Sequence, residues 1–284
     1  MPTARLHDDA PIEVTVLGAG PAVLLPVSTR VLDGPEAEQM RAWGADPNLG
    51  HHLATGLEAA GFRVITADYE GHLAAHPQPR TLNAATLAAD LLAIADAAGE
   101  RRFAYYGYSW LALAGLQLAI RTDRVTALAM GGFPPLGGPY AAMLAVTEAT
   151  YRMAVTNAEN PPAQVATPEP GDWDSADMTL SPDQTRQYLS LYESLTDFSD
   201  KAAVATLPPI PRLAFAGEKD TIVYGPKWGD TVVDIVGPLI ANQTALTTAG
   251  WRVEIIPAAD HMAAMQAAVV LPLLTDWLQH PQPE

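Results

Sequence analysis

Residues 103–115 read FAYYGYSWLALAG, and this stretch decides the fold. Its first half is an apolar, aromatic run suited to a buried strand, and its second half is a small-residue run suited to a buried helix. The change occurs at Gly107, Tyr108 and Ser109. A serine at such a junction either caps the helix that follows or is presented by the turn as a reactive group. The two interpretations predict different proteins.

Strand-like and helix-like segments alternate on both sides of this stretch. A helical pattern carries Leu87, Leu91 and Ile94 on one face, after a cap at Thr81 or Asn83. The further strand-like segments are PIEVTVL (11–17), AVLLPV (22–27), FRVITAD (62–68), VTALAMGGF (125–133), RLAFAG (212–217) and RVEIIP (252–257). Such alternation is typical of α/β proteins. The sequence therefore predicts an α/β fold with a mostly parallel eight-stranded sheet and helices on both faces.

Residues 134–205 interrupt the alternation. A Pro-rich, acidic loop at 159–177 separates two helical stretches, the second of which has an N-cap at Ser181. We interpret this segment as a small helical cap, or lid, inserted into a core domain formed by residues 1–133 and 206–284. The cap is expected to cover the carboxyl edge of the sheet.

The composition limits the classes of partner. The chain has 284 residues, with 32 acidic and 16 basic side chains and a net charge of −16. Nucleic acids and anionic membrane surfaces would be repelled by this charge, whereas a small-molecule substrate, neutral or cationic, would not. The absence of cysteine excludes disulfides, thiolate metal sites and cysteine nucleophiles.

Signals for export, membranes, metals and dinucleotides are weak. Residues 1–16 lack the basic start and apolar stretch of a signal peptide, and no apolar run is long enough to span a bilayer, so we expect a cytoplasmic protein. No His-Glu-x-x-His spacing occurs, and GAGP at 18–21 lies between two predicted strands instead of opening a helix. We therefore expect no metal and no cofactor. The sequence leaves open whether the protein forms a homodimer.

A serine hydroxyl needs help to react at neutral pH. It requires a histidine base that is itself oriented by a carboxylate. Asp220 follows the strand-like segment 212–217, and His261 follows the next one, 252–257. The small Gly107 fits the tight turn of a nucleophile elbow, although Leu111 stands where that motif usually has a second glycine. The elbow motif alone leaves the capping interpretation open, and the downstream pair favours the reactive one.

From residue 11 onward the chain resembles the α/β-hydrolase fold superfamily, whose triad has the chain order serine, aspartate, histidine. The resembling segments are GAGPAVLLP (18–26, a strand-to-strand hairpin), ADYEGH (67–72, a strand and loop), GYSW (107–110, the elbow), FAGEKDTIV (215–223, the acid loop) and PAADHM (257–262, the histidine loop). The resemblance implies that Ser109 is the nucleophile, His261 the general base and then acid, and Asp220 the orienting carboxylate.

The resemblance also implies an oxyanion hole made of two backbone N–H groups. Trp110 supplies the first, and Ser28 aligns with the second, with Val27 as a substitute donor. The superfamily usually has His-Gly before that donor, whereas this chain has Pro26 and Val27, which restrict the backbone. This departure is larger than the one at Leu111.

Residues of the cap and of the loop after the third strand are candidates for binding substrate. Tyr140, Met143, Tyr188 and Tyr192 are expected to roof the pocket, although packing alone also explains aromatic residues on such helices. Arg30 is placed near the pocket mouth, where it pairs either with a substrate carboxylate or with one of the many surface acids.

Two functions follow as hypotheses. The first is a cofactor-independent serine hydrolase that cleaves a carboxylic ester, lactone or thioester of a small apolar substrate through an acyl-enzyme. The second is a non-hydrolytic protein of the same fold, either a ligand-binding module or a lyase or cyclase in a biosynthetic pathway. The departures at Pro26 and Leu111 motivate the second, and the complete triad favours the first.

Overall fold

The computed structural model describes residues 1–161 and 179–280. Its strands are β1 (Thr3–Arg5), β2 (Pro11–Glu13), β3 (Thr15–Leu17), β4 (Ala22–Leu25), β5 (Arg63–Thr66), β6 (Phe103–Tyr108), β7 (Val125–Gly131), β8 (Arg212–Gly217), β9 (Thr221–Val223), β10 (Val232–Asp234) and β11 (Trp251–Ile256). The central sheet has the strand order β11-β8-β7-β6-β4-β5-β3, and only β3 runs antiparallel to its neighbour. The prediction of a mostly parallel sheet is confirmed.

Within the described residues the central sheet has seven strands and not the predicted eight. The segment PIEVTVL divides at Val14, which is fully buried. Its first half, β2, pairs with β1 from Thr3 to Arg5 instead of joining the sheet. Only its second half, β3, reaches the sheet, where it pairs with β5.

The predicted hairpin at GAGP is also wrong. The strands on either side of it, β3 and β4, do not pair with each other, because β5 lies between them. Gly18 and Gly20 have positive φ angles, and a Cβ on either would lie within 2.5 Å of a carbonyl oxygen of Phe62 or Gly61. The connection therefore needs glycine, because its backbone passes directly against the two residues that precede β5.

Helices cover both faces of the sheet. They are α1 (Gly34–Ala42), α2 (Leu49–Ala59), α3 (Tyr69–Ala75), α4 (Ala84–Ala97), α5 (Trp110–Ala119), α6 (Tyr140–Glu159), α7 (Pro182–Glu193), α8 (Asp200–Thr206), α9 (Val236–Ala241), α10 (Gln243–Thr248), α11 (His261–Ala264) and α12 (Ala267–Gln279). Leu87 of α4 and Leu113 of α5 belong to the core on one face, and Leu53 of α2 and Val270 of α12 to the core on the other. This confirms the predicted layers.

Local sequence signals set several helix ends. Asn83, not Thr81, caps α4, and its side chain accepts hydrogen bonds from the N–H groups of Ala85 and Thr86. Ser181 and Gln184 form a capping box at the start of α7. Residues 69–72, the part of ADYEGH that we expected to be a loop, begin α3 instead. The Asp68 side chain caps this helix by accepting from the Gly71 N–H.

Residues 134–205, which we interpret as an insertion, contain α6, α7 and most of α8 among the described residues. Helices α6 and α7 pack against each other. A buried glutamine, Gln187, joins α7 to the core by donating to the Leu73 carbonyl and accepting from the Gln78 N–H. Residues 162–177 of the predicted Pro-rich loop lie outside the described part of the chain.

Candidate active site

Ser109 lies at the turn between β6 and α5. Its φ is 56° and its ψ is −130°, a conformation that a side-chain-bearing residue rarely adopts. The Ser109 N–H donates to the Gly131 carbonyl at 2.8 Å, which ties the turn to the end of the neighbouring strand β7. The side chain makes no capping hydrogen bond to α5. The turn therefore leaves the hydroxyl free of the helix that follows.

Gly107 makes this turn sterically feasible. A Cβ at that position would lie 2.2 Å from the Leu111 carbonyl oxygen, so no larger residue fits. Leu111, the departure from the usual elbow motif, is buried, and its carbonyl accepts a hydrogen bond from the Tyr105 hydroxyl at 2.8 Å. The core thus accommodates Leu111 without displacing the turn.

His261 and Asp220 meet at the carboxyl edge of the sheet. His261 Nδ1 lies 2.9 and 3.1 Å from the two Asp220 carboxylate oxygens, and Asp220 is fully buried. An ionised carboxylate only accepts hydrogen bonds, so Nδ1 carries the proton and Nε2 of the neutral ring is left as an acceptor. The Asp220 carbonyl also accepts from the N–H groups of Ile235 and Val236, which fixes the acid loop.

Tyr108, at the end of β6, and Gly132, which follows β7, also contact His261. The Tyr108 hydroxyl donates to the His261 carbonyl at 2.8 Å, and the two rings are 5.0 Å apart. Burial raises the pKa of Tyr108 far above its usual range, so the phenol keeps its proton. A Cβ on Gly132, which has a φ of +62°, would lie 2.9 Å from His261 Cε1. The ring therefore packs directly on backbone.

Ser109 and His261 line one cavity of about 190 Å³. Its wall is largely apolar and comes from the residues that follow β7, from helices α6 and α7, and from the β9–β10 hairpin. The other lining residues are Gly132, Phe133, Pro139, Met143, Tyr192, Ile222, Tyr224, Val233, Ile235 and Met262. The arrangement places a hydroxyl and an imidazole at the edge of a small apolar chamber.

The structure brings only some of the predicted substrate residues to this cavity. Met143 and Tyr192 line it. Tyr140 packs instead on Phe133 with ring centroids 5.5 Å apart, and Tyr188 stands edge-on to the Trp110 ring at 5.4 Å. The walls contributed by β9 and β10 were missed, because these three-residue strands carry no chemical motif.

Arg30 lies away from the cavity. Its guanidinium is exposed and is 3.7 Å from the Glu36 carboxylate. We considered a substrate carboxylate and a surface acid as partners of Arg30, and the contact in the structure is with a surface acid. Such an exposed pair contributes little to stability.

The three backbone donors of the predicted oxyanion hole differ in their contacts. The Val27 N–H donates to the Leu25 carbonyl at 2.8 Å, so it is already engaged. Among the described residues, the N–H groups of Trp110 and Ser28 have no hydrogen-bond acceptor. None of the three lines the cavity that contains Ser109. Trp110 N–H is nevertheless fixed next to Ser109 by its place in the chain.

Glu70 contacts Trp110, the residue after Ser109, and the sequence did not predict this contact. Glu70 accepts a hydrogen bond from the Trp110 indole N–H at 2.7 Å. The residue is exposed as a whole, whereas its carboxyl group is crowded by protein, and this burial raises the pKa of Glu70 above its usual range. The Trp110 hydrogen bond opposes that shift. This contact orients the side chain that follows the candidate nucleophile.

Two other kinds of site are absent from the described residues. In residues 1–161 and 179–280, no group of three or more histidine, aspartate or glutamate side chains is arranged to hold a metal ion. No helix in the same residues is both long and apolar enough to cross a bilayer.

Comparisons with known proteins identify the fold. No protein-family model and no curated protein matches the chain. Among solved structures, the chain is similar to an enol-lactonase from Burkholderia xenovorans LB400, at 18% identity and a TM-score of 0.60 over 98% of this chain and 100% of that one. A thermophilic esterase from Thermogutta terrifontis is similar at 15% identity and a TM-score of 0.60, over 99% of this chain and 98% of that one.

Epoxide Hydrolase A from Mycobacterium thermoresistibile is similar at 18% identity and a TM-score of 0.57, over the full length of both chains. Identities this low establish a common fold and leave the reaction open. The chain has the α/β-hydrolase fold.

Proposed function

We propose that this α/β-hydrolase-fold protein is a cofactor-independent serine hydrolase that cleaves a carboxylic ester, lactone or thioester of a small apolar acyl group. One observation carries the proposal: His261, bound through Nδ1 to the buried Asp220, lines the same cavity as Ser109. A hydroxyl, an imidazole and a carboxylate in this order are the groups that nucleophilic acyl transfer requires.

In the proposed reaction the Ser109 oxygen adds to the substrate carbonyl carbon while His261 Nε2 takes the hydroxyl proton. The bond to the leaving oxygen or sulfur then breaks, and His261 delivers the proton to that atom. In the second half, His261 deprotonates a water molecule that adds to the acyl-enzyme, and the acid leaves as Ser109 regains its proton. Asp220 stabilises the imidazolium that forms in each half.

The negative charge that develops on the carbonyl oxygen needs backbone donors. We assign one to the Trp110 N–H, which begins α5 and has no acceptor among the described residues. We assign the second to the Ser28 N–H and not to Val27, because the Val27 N–H already donates to Leu25. The contact between Glu70 and the Trp110 indole supports the first donor by fixing its side chain.

The size and lining of the cavity support a small apolar acyl group. Its volume of about 190 Å³ lies below the range of ligand pockets that hold drug-sized molecules. Met143, Tyr192, Ile222 and Val233 line it with hydrocarbon, thioether and aromatic surface. Burial in this cavity favours the binding of a short or compact acyl chain, and a long chain does not fit.

A second candidate is a non-hydrolytic protein of this fold, either a ligand-binding module or a lyase or cyclase. The observation that favours it is the position of the Pro26–Ser28 loop, none of whose residues lines the cavity that contains Ser109. Such a protein would hold a small ligand in the cavity and form no covalent bond to Ser109.

Labelling with a fluorophosphonate probe separates the two candidates. We expect the wild-type protein to be labelled and to hydrolyse p-nitrophenyl acetate, and Ser109→Ala to do neither. Ser194→Ala is the matched control, because the Ser194 hydroxyl donates to the Leu191 carbonyl, far from His261 in sequence and outside the cavity. Absence of both labelling and turnover in folded wild-type protein would exclude the hydrolase and favour the second candidate.

A further inference from the structure

A second cleft, of about 460 Å³, adjoins the cavity of Ser109. It lies between Trp43, at the end of α1, and the acid and histidine loops, which contribute Lys219 and Asp260. Ile222, His261 and Met262 line both spaces, whereas Ser109 lines only the smaller one. His261 therefore forms part of the wall between the two.

This position gives the two spaces different roles in the proposed reaction. The acyl group becomes bonded to Ser109, so it occupies the smaller cavity, which alone contains that serine. The leaving group receives its proton from His261, so it has to lie against the imidazole. The second cleft meets that requirement and offers more than twice the volume of the first.

The charges that line the second cleft indicate what the leaving group carries. Asp260 uses one carboxylate oxygen to cap α11, accepting from the Ala263 N–H at 2.8 Å. Lys219 is exposed, and no carboxylate of the described residues forms an ion pair with it. Its backbone is fixed by a hydrogen bond to the Ala259 carbonyl at 2.8 Å. Lys219 supplies the ammonium group of this cleft.

We propose that the second cleft binds the leaving group of the substrate and that Lys219 selects a leaving group bearing a carboxylate. This assignment rests on the proposed hydrolase function and specifies its substrate class: an ester that joins a small apolar acyl group to an alcohol with an anionic end. Lys219 contacts the substrate far from the scissile bond and takes no part in proton transfer.

The test compares three acetyl esters whose alcohol portions end in a carboxylate, a neutral amide or a trimethylammonium group. For Lys219→Met we expect the ratio of kcat/KM for the carboxylate ester to that for the amide ester to fall about fivefold, the effect of one exposed charge pair. Lys227→Met is the matched control, since Lys227 is exposed and lines neither space, and its ratio should equal that of the wild type. An equal loss on all three esters, or a wild-type preference for the trimethylammonium ester, would overturn the proposal.

A binding measurement keeps this test separate from the hydrolase proposal. The hydroxy carboxylate released from the anionic ester is titrated by calorimetry into Ser109→Ala and into the double variant Ser109→Ala/Lys219→Met. We expect binding to the first that weakens about fivefold in the second. If wild-type protein cleaves no ester but this difference is found, the hydrolase proposal fails and the anion site stands. If esters are cleaved and neither variant binds the hydroxy carboxylate, the anion site fails alone.

Discussion

Gly132 has two properties that a larger residue cannot combine. Its φ is +62°, and a Cβ would lie 2.9 Å from His261 Cε1 and 2.6 Å from the Tyr108 ring. An alanine there adopts a left-handed backbone at a cost in stability, and its Cβ also displaces the imidazole. Because small displacements of a catalytic group cost on the order of 10²-fold in rate, we expect Gly132→Ala to lose about that factor in kcat for ester hydrolysis.

Gly99 provides the matched control for this substitution. Its φ is +77°, and nothing lies within 4 Å of a Cβ built on it. Gly99→Ala should therefore lose about 1 kcal/mol of stability from the backbone alone and retain its activity. Thermal unfolding and kcat are measured on both variants. Equal activity of the two alanine variants would show that Gly132 does not position His261.

At the scale of single residues, the sequence predicted the polar groups better than their surroundings. Ser109, Asp220 and His261 each follow a strand, and parallel strands bring their carboxyl ends to one edge, so their proximity follows from the order of elements. The contact between Glu70 and Trp110 was missed, because it joins side chains 40 residues apart and depends on the unexpected helix α3.

At the scale of elements, a buried glutamine of α7 helps to join this helix to the core. Gln187 is 1% exposed, donates to the Leu73 carbonyl at 3.1 Å and accepts from the Gln78 N–H at 3.0 Å. Gln187→Leu removes the hydrogen-bond partner of the buried Leu73 carbonyl and of the part-buried Gln78 N–H. We therefore expect the free energy of unfolding to fall by roughly 2 kcal/mol, within the usual cost of 1–3 kcal/mol for such a loss.

Urea unfolding measures that loss, and hydrogen exchange in α7 locates it. Gln279→Leu is the control, because Gln279 is exposed and makes one hydrogen bond of 3.3 Å, to the Ala60 carbonyl. A surface change of that kind should cost less than about 0.5 kcal/mol. If the two leucine variants lose the same stability, and α7 exchanges no faster in Gln187→Leu, then the glutamine does not hold α7 to the core.

The differences between predicted and observed elements have a common physical cause. Periodicity indicates where a strand is but not which strand it pairs with, so the sequence could not show that β2 pairs with β1 or that β5 lies between β3 and β4. The hairpin of β9 and β10 lines the cavity yet consists of two three-residue strands, shorter than any pattern can mark. The pairing of strands and the lining of the cavity both depend on contacts between residues that are distant in sequence.

At the scale of the whole molecule, a polar network joins the N-terminal hairpin to the core. The His7 imidazole Nδ1 lies 2.8 Å from the Asp90 carboxylate, and the His7 N–H donates to the same group at 2.7 Å. The Tyr69 hydroxyl donates to Asp90 as well, at 2.7 Å. Asp90 is 1% exposed, and these three donors supply the hydrogen bonds that a buried carboxyl group requires.

This network makes part of the stability dependent on pH. The hydrogen bond to Asp90 raises the pKa of His7 above its ordinary value of about 6.5, with smaller help from the charges of Asp90 and Asp8 and against the effect of burial. A group whose pKa is raised on folding contributes stability that is fully present below its unfolded pKa. That contribution is lost as the pH rises through the folded value.

We therefore compare the wild type with His7→Asn, which cannot titrate, by urea unfolding between pH 5.5 and 8.5. The difference in the free energy of unfolding should favour the wild type at the acidic end and shrink steadily toward the alkaline end, because the proton that His7 holds in the folded state is then lost. His51→Asn serves as the control, since His51 forms no ion pair among the described residues and should show a difference that hardly varies over the same range. A His7→Asn difference that is constant with pH would mean that folding does not change the proton binding of His7, and that the imidazole joins the hairpin to Asp90 through its neutral form.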